Sequence, residues 1–354
     1  MVQESGPKDS LLLSFLPFGV MAVVAAADLI TGPGVGLLPL VSLGPAFAGL
    51  TGGWRRTVAI GVVAVALCLV LSAYDGLYGT RRGFTALLSI AGVTAAGLAA
   101  AVRRQRRETE LASVRSIAEV AQRVLLRPVP RGAGRLRVAV SYTSAVAEAR
   151  IGGDLYEVVT SPQGVRLIVG DVQGKGLEAV ETAAVVVGAF REAAYDEPDL
   201  TAVGERLERA LERHLTREKF VTAVLAQVQD GGAYVTLLNF GHPAPLMVRT
   251  HGEVRYLAPP ERALPLGLGA HGTPGPKPYD VLFAPGDQVL FYTDGVTEAR
   301  DPSGDFYPLE QRVGGLAQRD PDAALAAVRQ DLMEHAEGPL QDDAAMLLLR
   351  YRDG

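Results

Sequence analysis

The sequence predicts a helical membrane region of four spans followed by a soluble α+β domain. Residues 1–102 contain only five basic and four acidic groups. From about residue 135 onward, short strand-like runs bounded by Gly, Pro or Asp dominate, and helical patterns separate them. Many strands with a few helices between them favour an α+β domain built on mostly antiparallel sheet.

Composition divides the chain into a membrane region (1–102), a connecting helix (103–127) and a soluble domain (128–354). The chain carries a net charge of −5: residues 1–102 contribute +1, and residues 103–354 contribute −6. This acidic balance predicts no nucleic-acid partner, which would favour a basic face. Cys68 is the only cysteine, so neither an intramolecular disulfide nor a Cys/His metal framework is expected.

Four apolar stretches, roughly 11–30, 34–50, 57–73 and 83–102, form the predicted membrane region. About 20 apolar residues cross a bilayer as a helix, and roughly 17 is the lower limit. A buried bundle in a soluble protein is the alternative, but such helices usually keep a polar face, which these stretches lack. For the first stretch a cleaved signal peptide is a second alternative, because Ala25-Ala26-Ala27 resembles a cleavage site.

The basic residues beside the spans predict a cytoplasmic C-terminal domain in a multi-pass protein of the cell membrane. Arg55-Arg56 and the four arginines between 103 and 107 fall on the same side of a four-span arrangement. Positive residues favour the cytoplasmic side, although Arg81-Arg82 would lie outside.

The segment 103–127 is predicted to form one helix that leaves the membrane. Apolar residues recur at three- and four-residue steps from Leu111 to Leu125, and Pro128 and Pro130 end the pattern. This stripe could pair with its copy in a homodimer, or it could simply cover the next domain.

The soluble domain shows strand and helix patterns in alternating groups. Helices are predicted at 177–195, 199–215 and 321–336, and an exposed loop is predicted at Gly269–Pro278. Strands are predicted at Leu136–Tyr142, Tyr156–Thr160, Val165–Val169, Thr222–Val228, Tyr234–Asn239, Pro245–Val248, Tyr279–Phe283, Gln288–Tyr292 and Ala345–Leu349.

Several aspartates follow an apolar run or a glycine, where a strand should end and a turn begin. Hard carboxylate oxygens delivered from strand ends are what a Mg²⁺ or Mn²⁺ site requires. With five histidines in the whole chain and no cysteine after Cys68, zinc is disfavoured. The candidates are Asp154, Asp171, Asp294 and the pair Asp342-Asp343.

Six motifs occur in a fixed order between about residues 135 and 351. They are IGGDLYE (151–157), GDVQGKG (170–176), FVTA (220–223), NFGHP (239–243), PGD (285–287) with YTDGVTE (292–298), and the closing DD (342–343). The ordered set resembles the SpoIIE-like serine/threonine phosphatases of the metal-dependent PPM class. One Gly-Gly or Asp-Gly turn would carry no such information.

The resemblance implies an α-β-β-α sandwich of two antiparallel sheets flanked by helices, with two Mn²⁺ or Mg²⁺ ions at one edge. It implies that Asp154, Asp171, the Val172 carbonyl, Asp294 and Asp342 form the metal shell, with Asp171 bridging and Asp343 as a possible contributor. Asp154, Asp171 and Asp294 are thereby also the expected catalytic residues. A hydroxide bridging the two metals would attack the phosphoryl group.

Two further residues are candidates for substrate binding. Lys175 lies in a glycine-flanked turn before a helix, where it could touch phosphate or be solvated. His242 could act near neutral pH, but its Gly241 and Pro243 flanks favour a structural turn. Three residues depart from the family pattern: Glu157 stands where the family usually has Asp, Phe240 where it has a small residue, and Ala345 where it has Thr.

The resemblance predicts a membrane-anchored protein phosphatase that acts on phosphoserine or phosphothreonine in a cytoplasmic regulatory protein. An anti-sigma-antagonist type of protein is the expected substrate. A non-enzymatic membrane receptor or scaffold with this fold is one alternative, and a small-molecule phosphohydrolase is another.

Overall fold

The computed structural model describes residues 7–32, 35–144, 152–214, 219–269, 275–318 and 320–352. The side chains at 7–14, 111–112, 114–119, 121, 123–124, 315 and 317 lie outside that description. The chain divides into two compact units, Met1–Ser113 and Val114–Gly354. The unit that carries the motifs is the second.

Helices make up the first unit. They are α1 (Pro7–Thr31), a 3-10 segment (Leu38–Ser42), α2 (Leu43–Thr51), α3 (Trp54–Tyr74) and α4 (Arg81–Leu125), whose last residues belong to the second unit. The expected long helix over 34–50 is replaced by two short ones, because Pro39 opens the 3-10 segment and Pro45 lies near the start of α2. The two together span 14 residues, less than a bilayer requires.

Two helices of the described residues are long and apolar enough to cross a membrane, α3 and the part of α4 from Arg81 to Glu110. Such helices also occur in the cores of soluble proteins, but these two are largely exposed. Val62, Val70 and Leu88 each expose more than 60% of their surface. Small residues also let α2 approach α4 closely, since a Cβ placed at Gly49 of α2 would lie 2.7 Å from the Gly97 Cα atom of α4.

The predicted connecting helix is continuous with the predicted fourth span. Helix α4 is 45 residues long and ends at Leu125, three residues before Pro128. No glycine or proline interrupts residues 98–125, so the helical backbone has no reason to break where the composition turns polar. Arg104 donates hydrogen bonds to the carbonyls of Leu50 and Gly52, which places it beside the start of α3.

Two antiparallel sheets form the second unit. The six-stranded sheet has the order β1-β2-β11-β10-β7-β8 and the five-stranded sheet the order β3-β4-β5-β6-β9. Every neighbouring pair is antiparallel. The strands are β1 (Gly132–Ala133), β2 (Leu136–Thr143), β3 (Leu155–Ser161), β4 (Gly164–Val172), β5 (Val221–Val228), β6 (Tyr234–Phe240), β7 (Leu246–Val248), β8 (Val254–Tyr256), β9 (Tyr279–Leu282), β10 (Gln288–Tyr292) and β11 (Ala344–Tyr351).

The two sheets face each other across a buried apolar layer that includes Val169, Val224, Phe291 and Leu347. Helices α5 (Leu177–Asp196) and α6 (Leu200–Glu212) cover the outer face of the five-stranded sheet. Helix α9 (Pro321–Ala336) covers the other sheet. The expected sandwich of two antiparallel sheets between helices is therefore confirmed.

Among the described residues, the structure adds short elements that the sequence patterns did not predict: two strands, two helices and a 3-10 segment (Val313–Ala317). Strands β1 and β8 contain two and three residues, which is too short for a periodic signal. Helices α7 (Asp294–Thr297) and α8 (Leu309–Arg312) each have four residues. Of these, α7 matters for the site, because it begins at a candidate metal ligand.

Arg166 on β4 is fully buried and joins its sheet to the end of α5. Its guanidinium donates to the carbonyls of Ala194, Glu197 and Pro198 at 2.7–3.2 Å, and to the Gln227 side chain at 2.9 Å. The last carbonyls of a helix have no partner inside the helix, and a cation there also favours the helix dipole. This contact fixes α5, whose first turn lies close to the candidate site.

Asp287 is a buried carboxylate that holds the turn before β10 in place. It accepts hydrogen bonds from the amides of Ala284 (2.9 Å) and Thr250 (3.1 Å) and from Arg249 (2.7 Å). Burial alone would raise the pKa of Asp287, but these hydrogen bonds outweigh it and hold the pKa below its usual value. The contacts pin the turn before β10 to the β7–β8 hairpin.

We expect Asp287→Ala to lower the free energy of unfolding by about 3–5 kcal/mol, because it leaves Arg249 buried without its partner. Urea denaturation of the second unit measures this. Because folding lowers the pKa of Asp287, its stabilisation is present at neutral pH and is lost as the pH falls through the ordinary Asp range. Asp280→Ala, at an exposed site on β9, should change the stability by less than about 0.5 kcal/mol; equal losses in both variants would contradict the assignment.

Candidate metal centre

Four strand ends bring the candidate aspartates to one edge of the sandwich. Asp154 directly precedes β3, and Asp171 is the second-last residue of the neighbouring β4, which pairs with β3 from Leu155↔Gly170 onward. Asp294 follows β10, and Asp342 precedes the neighbouring β11, which pairs with β10 up to Tyr292↔Met346. Because antiparallel neighbours begin and end at the same edge, each sheet contributes two of these carboxylates.

Thr293 joins the two halves of this edge. Its hydroxyl donates to Asp154 Oδ2 at 2.8 Å and accepts from the Ala345 amide at 2.9 Å. Its own amide donates to the Ala345 carbonyl at 3.1 Å. One side chain from the six-stranded sheet therefore orients a carboxylate that the five-stranded sheet presents.

The glycines at this edge allow close approach of backbone segments. A Cβ at Gly152 would lie 2.1 Å from Asp343 Oδ2, and one at Gly153 would lie 2.5 Å from the Val172 carbonyl oxygen. A side chain at Gly153 would force the backbone to move, and one at Gly152 would displace the Asp343 carboxylate. Gly176, just before α5, instead requires its φ of 90°.

The carboxylates repel one another. Burial, and then the charge of Asp171, raise the pKa of Asp154 well above its usual range. Burial, followed by the charges of Asp294 and Asp342, raises the pKa of Asp171 to about 7. The pKa of Asp294 is raised by burial and then by Glu298 and Asp342. An edge that accumulates negative charge in this way favours a multivalent cation.

Within the described residues, no three His, Cys, Asp or Glu side chains stand close enough to hold an ion without rearranging. In the part of this edge that the structure describes, Lys175 forms an ion pair with Asp342, and its Nζ lies 2.6 Å from Asp342 Oδ1. The donor set itself is all oxygen, which fits Mg²⁺ or Mn²⁺ and not zinc.

Asp343 has a different environment from Asp342. It is 2% exposed and its Oδ2 accepts hydrogen bonds from the Tyr142 hydroxyl (2.6 Å) and the Gly152 amide (2.8 Å). Ser144 donates to Oδ1 at 3.3 Å. Asp343 therefore holds the loop before Asp154, while the Asp342 side chain is 45% exposed and faces Lys175.

Helix α4 takes part in this network through Gln122. Its amide nitrogen donates to the Tyr142 hydroxyl at 2.7 Å and to the Gly152 carbonyl at 3.3 Å. The last turn of α4 thus contacts both the tyrosine that binds Asp343 and the loop that carries Asp154. The sequence offered no signal for Gln122 or Tyr142, because their partners are up to 201 positions away.

Tyr142→Phe should lower the affinity for Mn²⁺ by roughly 10- to 100-fold, the usual effect of losing a group that orients metal ligands. The maximal rate at saturating Mn²⁺ should stay close to that of the wild type. A titration of the activity, and of Mn²⁺ binding by calorimetry, measures both quantities. Tyr351→Phe is the matched control, since Tyr351 lies at the far end of β11 and its hydroxyl donates to the Gly232 carbonyl. An unchanged Mn²⁺ affinity in Tyr142→Phe would show that the network is only structural.

His242 lies at the site but both ring nitrogens are engaged. Nε2 is 3.0 Å from the Tyr292 carbonyl, which requires an N–H donor, so Nδ1 accepts from the Thr222 hydroxyl at 3.0 Å. Burial lowers the pKa of His242 to about 4, so the ring is neutral at physiological pH. The ring fixes β5 and β10 relative to each other, in agreement with the structural alternative for this residue.

A cavity of about 520 Å³ opens beside the acidic edge. Its lining includes Asp294, His242 and Asn239, together with residues of the loop between β8 and β9, among them Arg262. The exposed loop predicted at Gly269–Pro278 belongs to the same connection, and its residues 270–274 lie outside the described residues. The edge of the sandwich thus combines a carboxylate cluster with an adjoining cavity large enough for a side chain of a substrate.

Comparison with known families is decisive for residues 161–352, which match the model of the family described as Stage II sporulation protein E (SpoIIE). The matched segment contains Asp171, Asp294 and Asp342 and covers more than half of the chain. This chain belongs to the SpoIIE family. The resemblance noted in the sequence motifs is therefore confirmed.

One curated protein with a sequence similar to this SpoIIE-family chain is phosphoserine phosphatase RsbU of Bacillus subtilis (strain 168). It is 23% identical over 214 residues, which are 59% of this chain and 62% of the relative. The chain thus matches less than two thirds of that relative's length.

Solved structures support the same fold. The SiaA-PP2C domain of Pseudomonas aeruginosa superimposes with a TM-score of 0.57 at 20% identity and covers 70% of this chain and 98% of its own. The RsbU and RsbW domains of a Mycobacterium tuberculosis protein superimpose with a TM-score of 0.54 at 24% identity, over 62% of this chain and 61% of that one. At these identities the likeness shows the fold alone.

Departures from the SpoIIE pattern fall outside the carboxylate set. Glu157 pairs with Arg191, whose guanidinium also donates to the Leu125 carbonyl at the end of α4 (3.1 Å). Phe240 is buried against Gly204 of α6. Ala345 contributes its backbone to Thr293. None of them removes an acidic side chain from the edge.

Proposed function

We propose that this chain is a metal-dependent serine/threonine protein phosphatase that cleaves phosphoserine or phosphothreonine esters. The observation that carries the proposal is the convergence of Asp154, Asp171, Asp294 and Asp342 on one edge from two different sheets. Membership in the SpoIIE family and similarity to a phosphoserine phosphatase support the same reaction.

Asp154, Asp171, Asp294 and Asp342, with the Val172 carbonyl, are the residues that would hold two Mn²⁺ or Mg²⁺ ions. When bound, such a pair of cations activates water and neutralises the charge of a phosphoryl group. Asp171 is placed at the centre of the cluster, because the charges of Asp294 and Asp342 raise its pKa and its own charge raises the pKa of Asp154. Asp343, whose oxygens are occupied by Tyr142, Ser144 and Gly152, positions the loop rather than binding an ion.

The carboxylates have separate tasks in this scheme. Thr293 keeps Asp154 oriented, so that its lone pairs point along a fixed direction. Asp294 begins α7, and its backbone carbonyl accepts from the Glu298 amide at 2.7 Å, which fixes the turn. Lys175 now neutralises Asp342 and would leave that carboxylate, and become available to a phosphate, when a cation binds there.

The activity test uses the full chain in detergent and a shorter form that begins at residue 114, so that Gln122 and Leu125 are retained. Hydrolysis of p-nitrophenyl phosphate and of a phosphoserine peptide is measured with Mn²⁺ and with EDTA. Mn²⁺-dependent hydrolysis that EDTA removes is the expected result. A folded protein that binds Mn²⁺ but hydrolyses neither compound would contradict the phosphatase proposal and favour a non-enzymatic receptor or scaffold.

The proposed substrate is a phosphorylated cytoplasmic regulatory protein of the anti-sigma-antagonist type. The basis is the family resemblance and the likeness to RsbU, which is named a phosphoserine phosphatase. A panel of phosphopeptides, nucleotides and sugar phosphates separates this from a small-molecule phosphohydrolase. Higher kcat/KM for phosphopeptides than for every small phosphate is the expected result.

We also propose that the first unit anchors the enzyme in the cell membrane with the catalytic unit in the cytoplasm. Two exposed apolar helices of sufficient length support the anchor. Arg104 of α4 lies beside the start of α3 and its Arg55-Arg56 pair, so the basic residues share one side. The protein should pellet with membranes and resist alkaline carbonate, while the form starting at residue 114 should remain in the supernatant.

Pairing of two copies through residues 103–127 stays a prediction, because most apolar side chains of that stripe lie outside the described residues. Light scattering of the full chain in detergent, compared with the form starting at residue 128, tests it. A dimer that becomes a monomer on removal of 103–127 is the expected result.

A further inference from the structure

The cavity beside Asp294 contains one basic side chain in the described part of its wall, Arg262. We propose that Arg262 binds an anionic group of the substrate, either the phosphoryl group or a carboxylate that flanks the phosphorylated residue. The inference rests on the proposed phosphatase function and adds a substrate-binding residue that the sequence motifs do not contain.

The first support is the absence of a competing partner. Among the described residues Arg262 has no ion pair or hydrogen-bond partner, and the acidic residue beside it, Glu261, is paired with Lys277 at 3.0 Å. The other cation near the site, Lys175, is held by Asp342 at 2.6 Å. Arg262 is therefore the cation of the cavity wall that a ligand can reach without displacing a neighbour.

The second support is that the loop carrying Arg262 is anchored at both ends. At its start the Leu257 amide donates to the Pro245 carbonyl at 2.7 Å, and the Leu257 side chain is buried. At its end Leu266 and Val221 exchange two hydrogen bonds of 2.9 and 3.0 Å. Three prolines within the loop, at 259, 260 and 265, fix the backbone further. Because the backbone of this loop is already held in place, binding of a ligand by Arg262 requires little ordering of the loop.

The third support is the charge of the reaction centre. Two divalent cations would balance the four carboxylates, so a phosphomonoester dianion would add charge that, among the described residues of the cavity wall, only Arg262 can compensate. The His242 ring, which also lines the cavity, supplies no positive charge, since one ring nitrogen accepts a hydrogen bond and the other donates one. A guanidinium is suited to this task because its planar donors bind two oxygens of a phosphate or a carboxylate at once.

The test compares Arg262→Ala, Arg262→Lys and the wild type as full chains with Mn²⁺. Arg255→Ala is the matched control, because Arg255 is exposed on β8 and lies outside the cavity wall. Three compounds are used: p-nitrophenyl phosphate, a phosphoserine peptide with neutral flanks, and the same peptide with Asp and Glu flanks. The thermal shift caused by Mn²⁺ confirms that each variant still folds and binds the ion.

Arg262→Ala should raise KM by roughly 10- to 100-fold, the range expected for losing a hydrogen bond to a charged group. A rise for all three compounds identifies the phosphoryl group as the contact, and a rise for the acidic peptide alone identifies the flanking carboxylate. Arg262→Lys should restore part of the affinity, and Arg255→Ala should behave as the wild type. Unchanged KM values for all three compounds in Arg262→Ala would overturn the proposal.

Failure of the phosphatase proposal is distinguishable from failure of this one. Binding of the two peptides, labelled with a fluorophore, is measured by anisotropy without reference to turnover. If the wild type binds peptide and hydrolyses none, the reaction is wrong, while weaker binding by Arg262→Ala still supports the contact. If the wild type hydrolyses peptide and Arg262→Ala binds it equally well, the contact alone is wrong.

Discussion

Replacing Asp171 by asparagine is expected to reduce Mn²⁺-dependent hydrolysis by about 10³-fold or more. The exchange keeps the size of the side chain but removes the charge that lies among Asp154, Asp294 and Asp342. A bound cation supplies several kcal/mol of transition-state stabilisation, and each ~1.4 kcal/mol is a factor of ten in rate. Steady-state kinetics with p-nitrophenyl phosphate over a range of Mn²⁺ concentrations measures the loss.

The same substitution should leave the metal-free fold intact or make it more stable, because it relieves repulsion among carboxylates. The melting temperature without metal should therefore equal or exceed that of the wild type. Mn²⁺ at about 100 times its Kd should stabilise the wild type by ~2.7 kcal/mol and the variant far less. Asp280→Asn, at an exposed position of β9, is the control and should retain both activity and the metal-induced shift. Wild-type turnover by Asp171→Asn would place the site elsewhere.

The predicted strands agree with the structure wherever local chemistry and long-range pairing favour the same conformation. Strand β4 was expected at Val165–Val169 and extends over Gly164–Val172, and β5 was expected at Thr222–Val228 and begins one residue earlier. Both are central strands of apolar and β-branched residues bounded by turn residues, which is the strongest local signal for a buried strand. The observed ends differ from the predicted ones because pairing with neighbouring strands, and not local propensity, decides where a strand stops.

The helical region shows where local signals fail. The stretch 34–50 is apolar throughout, yet Pro39 and Pro45 interrupt it, and hydropathy alone does not register the lost backbone hydrogen bonds. At residue 103, by contrast, the composition changes abruptly and the helix of α4 continues, in keeping with the predicted helix that leaves the membrane. A boundary in composition marks a change of surroundings and need not be a break in the backbone.

At the site, the motifs predicted which aspartates meet but could not assign their tasks. Asp342 and Asp343 are adjacent in the sequence, so no spacing argument separates them. The alternation of side chains across a strand end places Asp343 inward, against Tyr142 and Gly152, and Asp342 outward, against Lys175. The proximity of Arg262 to the cavity beside Asp294 could not be predicted either, because it depends on how a loop folds back toward β5.

Gly295→Ala is expected to lower the activity by about 100-fold or more, although it changes no charged residue. A Cβ at this position would lie 1.9 Å from the Asp343 carbonyl oxygen, a backbone atom that cannot rotate away. Helix α7 and the start of β11 must therefore separate, and this moves Asp294 away from Asp342. A displacement of about 1 Å at reacting groups can cost on the order of 10²-fold in rate.

Kinetics over a range of Mn²⁺ concentrations and thermal unfolding measure this effect together. Overpacking should also lower the stability by roughly 1–3 kcal/mol. Gly188→Ala is the matched control: Gly188 lies within α5 and an added Cβ meets nothing within 4 Å, so that variant should keep its activity and gain ~0.5–1 kcal/mol. If Gly295→Ala loses stability while its activity at saturating Mn²⁺ remains that of the wild type, the distance between α7 and β11 does not control the metal centre, and the pairing of Asp294 with Asp342 would have to be abandoned.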